Sequence, residues 1–144
     1  MPSLDLSNRQ RKSRVDLNEF CQFAERALAR IAELVNPATL PGEISVAFVS
    51  DARIARTHRE FMSVPGPTDV ITFHHGEIVI SVETAARQAK IFNSTLRREL
   101  HLYFVHGLLH LAGWDDSSEE GRQKMAATQE RIVDEIDSLQ ALNF

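Results

Sequence analysis

The chain has 144 residues, 43% hydrophobic and 25% charged, which is ordinary for one globular domain with a real core, here expected to span residues 1–144. The formal net charge of −4 gives no global electrostatic case for nucleic acid, and the lone Cys21 excludes an intramolecular disulfide and fits a reducing compartment. No run approaches the roughly 20 apolar residues needed to span a bilayer, and the opening MPSLDLSNRQRKSRV lacks the apolar stretch of a signal peptide, so a cytoplasmic protein with no membrane partner is expected.

A short strand is expected around Leu4–Leu6, followed by a helix capped by Asp16 and carrying Leu17, Phe20, Ala24, Leu28 and Leu34 on its apolar side. Cys21, flanked by Phe20 and Phe23, reads as core filler rather than as a nucleophile. NPATLPG breaks that helix, and EISVAFVS alternates Ile44, Val46 and Phe48 against Ser45 and Ala47, as a half-buried strand does. Asp51 is placed to cap a short helix through Phe61, and SVPGP is a loop. TDVITF and EIVIS, separated by HHG, predict a hairpin with His74 and His75 at its turn. These two read as exposed turn residues, with proton transfer or phosphate contact as the alternative.

Ser81 caps VETAARQAKIF, which Asn93 or Ser94 ends. From Thr95 a helix runs to Ala112 and stops at Gly113. Its apolar residues form two stripes, one through Leu100, Phe104, Leu108 and Leu111, the other through Leu102, Val105 and Leu109, so it must be central. Ser117 with Glu120 forms a capping-box pattern for a last helix with Met125, Ile132, Ile136 and Leu139 on one face. The sum is an α+β domain, a small mixed sheet packed against helices, with the central helix buried.

That central helix carries HGLLHLAGWDD. Residues four apart share a helix face, so His106 and His110 can aim nitrogens at one point. A bare pair of this kind can also be two core histidines bonded to backbone. Burial, the turn allowed by Gly113, and the two carboxylates Asp115 and Asp116 favour metal. Nitrogen and oxygen ligands with an open position describe a catalytic rather than a structural ion. In the HExxH of zinc peptidases a Glu follows the first histidine and acts as base; here Gly107 stands there, which counts against a peptidase.

The chain resembles the YbeY family of endoribonucleases from about Val46 to the end. VSDARIARTHREF matches the family's strand-to-helix segment, PTDVITF its PTDVLSF, GEIVIS its GDIVIS, and RELHLYFVHGLLHLAGWDD its signature ending HGxLHLxGYDH. The resemblance implies one divalent metal, usually zinc, held by His106, His110 and the residue at Asp116, where the family has histidine. It also implies a metal-bound water as nucleophile, rRNA or other single-stranded RNA as substrate, 16S rRNA 3′-end maturation and ribosome quality control, and small-subunit components as partners. The aspartate lowers the site charge from +2 to +1, should leave a bound water less acidic, and makes the site more welcoming to Mn²⁺ or Fe²⁺.

Asp115 matches the family's own aspartate and reads as a turn former supporting the site, with ligation as the alternative. Thr68 and Asp69 are expected to hold the cleft wall. Phe61 and Met62 stand where the family has a tyrosine–arginine pair, and methionine cannot stabilise phosphate charge. Arg59, one turn earlier, is either a substitute or a surface residue. Arg97 and Arg98 are candidate RNA contacts, set against an ordinary solvated basic face shared with Arg87 and Lys90. Two rival readings stand beside the nuclease: a ribosome-associated factor of the same fold weakened in catalysis, and a zincin-like metallopeptidase.

Overall fold

The computed structural model describes residues 1–142, with side chains described to Leu139. In chain order it contains β1 (Ser3–Asn8), α1 (Leu17–Leu34), one 3₁₀ turn (Pro37–Thr39), β2 (Glu43–Val49), α2 (Asp51–Met62), β3 (Val70–Phe73), β4 (Glu77–Ser81), α3 (Val82–Ile91), α4 (Leu96–Leu111) and α5 (Glu119–Leu142). The four strands form one mixed sheet in the order β1-β2-β4-β3, parallel except for the β3–β4 hairpin. The α+β expectation holds. No helix among the described residues is long and apolar enough to cross a membrane.

Both faces of the sheet are covered, because parallel strands must be joined by crossovers and each crossover lays a helix on a face. Ile44, Val46, Phe48, Ile78 and Ile80 pack with residues of α1, α4 and α5 in the main core. On the other face Ala47, Val49, Ile71 and Val79 pack against Ile54 of α2. This corrects the expected alternation in β2, where Ala47 was set on the polar side; it is 6% exposed.

Two caps form as read, Asp16 accepting from the Glu19 amide and Ser81 from Thr84, and Thr95, where α4 was expected to begin, caps it by accepting from Arg98. Two differ. Ser50 rather than Asp51 caps α2, accepting from the Arg53 amide. The Asp51 carboxylate instead takes Ser81 Oγ at 2.6 Å, Thr84 Oγ1 at 2.8 Å and Arg87 Nη1 at 2.6 Å, tying α2 to the start of α3. Ser118 rather than Ser117 meets the first turn of α5, accepting from the Gly121 amide at 2.9 Å, because Ser117 Oγ is already donated to Asp115. Cys21 lies half-exposed near Glu25, not in the core, and Leu34 and Leu139 are exposed as their helices outrun the packed region.

Helix α4 is the hub. It contacts α1, α3, α5, β3 and β4, and every residue from Glu99 to Val105 is buried. Gly107 sits where an added Cβ would lie 2.9 Å from Ile78 Cδ1, so the missing side chain lets the helix settle on β4. At its other end His101 is fully buried and stacked on Phe23, ring centroids 3.7 Å apart and nearly parallel. Its Nδ1 lies 3.2 Å from Asp137 and its Nε2 2.9 Å from Glu19, whose same carboxylate oxygen takes Arg97 Nε at 2.7 Å. The ring thus clasps α1 and α5 to α4.

Burial disfavours the charged ring of His101, but the carboxylates of Asp137 and Glu19, which attract and accept from its N–H groups, outweigh it and raise its pKa above the ordinary 6.5. A group raised in the folded state stabilises fully below its unfolded pKa and ceases to do so as pH climbs through its folded one. The thermal midpoint should therefore decline as pH is raised above 6.5. A His101→Phe protein, keeping the stack on Phe23, should lack that decline, which scanning calorimetry across the range would read directly.

Candidate metal centre and cleft

His106 and His110 project from successive turns of α4 with their rings edge to face, centroids 4.6 Å apart. Each Nδ1 is engaged from behind. His106 Nδ1 lies 3.0 Å from Gln129 Oε1 on α5, and His110 Nδ1 lies 3.2 Å from the Trp114 carbonyl. That carbonyl is set by the end of the helix: Gly113 at φ +94° allows its amide to return to His110 O and the Trp114 amide to Leu109 O, a Schellman closure. A carbonyl oxygen can only accept, so each Nδ1 carries the proton and each Nε2 presents a lone pair.

Those two Nε2 atoms face one another at 3.0 Å. Asp116 Oδ2 joins them, 3.3 Å from His110 Nε2 and 3.6 Å from His106 Nε2. Three ligand atoms converge within 4.8 Å of one another, a cluster that could hold a metal ion. Two imidazoles and one carboxylate suit zinc, and the oxygen admits Mn²⁺ or Fe²⁺. The cluster lies in a cleft of about 370 Å³ walled by Asp69, the β3 residues Val70–Thr72, Met62 and His74. The open side leaves room for a further ligand.

Asp115 turns away from the cluster. Its two oxygens take the Ser117 amide at 2.8 Å and Ser117 Oγ at 2.7 Å, and these bonds hold its carboxyl below the usual range. The carboxylate is engaged within the turn and stands outside the three-residue cluster. Asp69 sits in the cleft wall, bonding the Val70 amide at 2.7 Å, while its carbonyl takes the Ser81 amide and so pins β3 to β4. Thr68 lies behind it, 3.4 Å from the same carboxylate and outside the lining.

The cations fall differently from the sequence expectation. Arg97 is drawn to Glu19, and Arg98 to Glu130 at 2.5 Å and Asp134 at 2.8 Å; neither lines the metal cleft. Arg59 is exposed and outside the lining, though Met62, three residues on, is within it. Arg53, Arg56 and Arg59 on α2 make no ion pair among the described residues.

Sequence reasoning missed Gln129, and a signal for it existed: it falls among Met125, Thr128, Ile132 and Val133 on the packed side of α5, where a polar residue needs a partner. His74 is an exposed turn residue, as read, and it also borders the cleft. The residue after the first histidine, Gly107, packs on Ile78, so the position a zinc peptidase uses for its base points into the sheet.

Comparisons with known proteins agree with this architecture. The family model described as "Endoribonuclease YbeY" matches residues 5–137. A curated relative named Endoribonuclease YbeY from Pelotomaculum thermopropionicum is 35% identical, the match covering 92% of this chain and 95% of that one. Another so named, from Geobacillus kaustophilus, is 37% identical over 80% of this chain and 85% of its own. Other matches are partial: one from Synechococcus, 39% identical, covers 59% of that relative's length. The solution structure of TM1509 from Thermotoga maritima superposes with a TM-score of 0.67 at 24% identity, covering 97% of this chain and 93% of that one, and shows the shared fold.

Replacing Gln129 by leucine, close in size but unable to accept from His106 Nδ1, should weaken zinc affinity about 10–100-fold without unfolding α5. Competition against a chromophoric chelator measures this. Unchanged affinity would show that Gln129 does not orient the ligand.

Proposed function

The chain belongs to the YbeY endoribonuclease family, and on that premise we propose that it is a metal-dependent, single-strand-specific endoribonuclease, residues 1–144 working as one domain. The finer reading places it on rRNA, in maturation of the 16S 3′ end and in ribosome quality control beside small-subunit components, in the cytoplasm. The observation that carries the reading is the convergence of His106, His110 and Asp116 at the floor of a cleft whose wall is the family motif around Asp69.

His106, His110 and Asp116 would hold one divalent ion, zinc by the donor set, and when bound it would supply Lewis-acid activation of water and polarisation of a phosphoryl oxygen. Gln129 and the Trp114 carbonyl keep both imidazoles in the tautomer that leaves Nε2 free. Asp69 braces the wall against which the scissile strand would lie. Arg59, with no ion pair among the described residues, is available to position phosphate from the end of α2. Arg97 and Arg98, engaged with carboxylates, are assigned to helix packing in this reading.

One observation favours a second reading. Met62 lines the cleft where the family's arginine would stand, so charge developing on the phosphate meets a thioether there. A ribosome-associated factor of this fold with weakened catalysis is what that predicts.

Metal-loaded protein incubated with single-stranded RNA should yield product that a chelator abolishes, and His106→Ala should lose both metal and cleavage. Retention of both by His106→Ala would sink the assignment. Binding without cleavage would favour the weakened factor. Peptide-library turnover dependent on His110 would restore the peptidase. Met62→Arg, placing a guanidinium in the cleft, should raise kcat by about tenfold or more on the same RNA.

A further inference from the structure

We propose that the end of α2 and the β3–β4 hairpin form a stacking platform for an unpaired RNA base, beside the metal cleft; this rests on the RNA-cleaving reading above. Three rings meet there. Phe73 is half-buried on the small core beneath the sheet. Phe61 meets it edge-on with centroids 5.4 Å apart, and His75 lies nearly parallel to it at 5.7 Å. Phe61 is 68% exposed, an unusual place to leave a phenyl ring.

The rings border a cleft of about 750 Å³ that also carries Arg53, Arg56, Glu60 and Glu77. Neither arginine is held by an ion pair among the described residues, whereas Arg30, Arg87 and Arg98 are. Exposed aromatic faces beside available guanidinium groups are the chemistry that holds single-stranded nucleic acid: rings stack bases and cations take phosphates. The two carboxylates cancel the local positive charge, so the surface is not a plain phosphate patch, and they offer acceptors to the amino groups of a base. A stable protein interface uses roughly 20–30 residues a side, far more than these rings and four charges supply.

Continuity with the metal site supports the choice of occupant. Phe61 borders the platform and Met62 the metal cleft; Phe73 and His75 border the platform and His74 the metal cleft. Phe61 and Met62 are neighbours at the end of α2, and Phe73, His74 and His75 are neighbours at the end of β3 and in the turn after it, so the two hollows share a narrow border. A single strand crossing that border sets a phosphate at His106, His110 and Asp116 and a neighbouring base on the rings. A duplex cannot do so, because its bases are stacked on one another.

The test uses zinc-loaded full-length protein and a fluorescein-labelled single-stranded oligoribonucleotide, with the matching duplex alongside. Phe61→Ala/His75→Ala should weaken binding of the single strand about tenfold or more, leaving zinc content and duplex binding unchanged, and Phe61→Trp should bind at least as tightly as the unaltered chain. If the unaltered chain cleaves single-stranded RNA and the double variant binds and cleaves it equally well, the platform is overturned while the nuclease reading stands, and the rings are assigned to protein contact. An equal loss for single strand and duplex, or a Phe61→Trp protein as weak as the double variant, also overturns it. Failure of the unaltered, zinc-loaded chain to bind or cleave any single strand overturns both readings.

Discussion

The close seating of α4 against β4 is the constraint on which the rest depends. Gly107 permits it: an added Cβ would press on three atoms of Ile78 within 3.2 Å, and overpacking of that kind costs about 1–3 kcal/mol. Around this contact α1, α3 and α5 close over the helix, so its backbone has little freedom to shift. Two imidazoles carried on such a helix arrive already aimed. The metal centre inherits its geometry from the core, which is why its supporting bonds come from α5 and from the helix's own closing turn.

The same helix carries a third histidine with a different role, and the contrast comes from neighbours rather than residue type. His101 faces α1 and α5, meets a carboxylate at each nitrogen, and serves as a buried clasp. His106 and His110 face the sheet edge, meet neutral acceptors at Nδ1, and keep Nε2 for an electrophile. Arginines sort in the same way. Those beside helix-borne carboxylates, such as Arg87 and Arg98, are drawn into pairs, while α2 presents Arg53, Arg56 and Arg59 to solvent beside the two clefts.

Much of the fold was legible because local signals agreed with tertiary demands. The strands, the hairpin, the caps at Asp16 and Ser81, the start of α4 at Thr95 and the burial of that helix all follow from periodicity and terminal side chains. The two misread caps share one cause. Asp51 and Ser117 have the chemistry of caps, but each is engaged elsewhere, Asp51 with the start of α3 and Ser117 with Asp115 in its own turn, so Ser50 and Ser118 took the caps. Ala47 was misplaced because a strand covered on both faces no longer alternates with water.

At the site, sequence alone determined that His106 and His110 share a face, since i and i+4 on a helix do so whatever surrounds them. It also determined the turn after them, since Gly113 has a positive φ that few other residues adopt. Gln129, Met62 and His74 were decided only by the tertiary structure. They lie on α5, at the end of α2 and in the hairpin, and chain spacing carries no information about which of many polar or apolar residues will meet across packed elements. The arginines were likewise decided there, because a guanidinium's availability depends on whether a carboxylate from a distant helix lies within reach, as Glu130 and Asp134 do for Arg98.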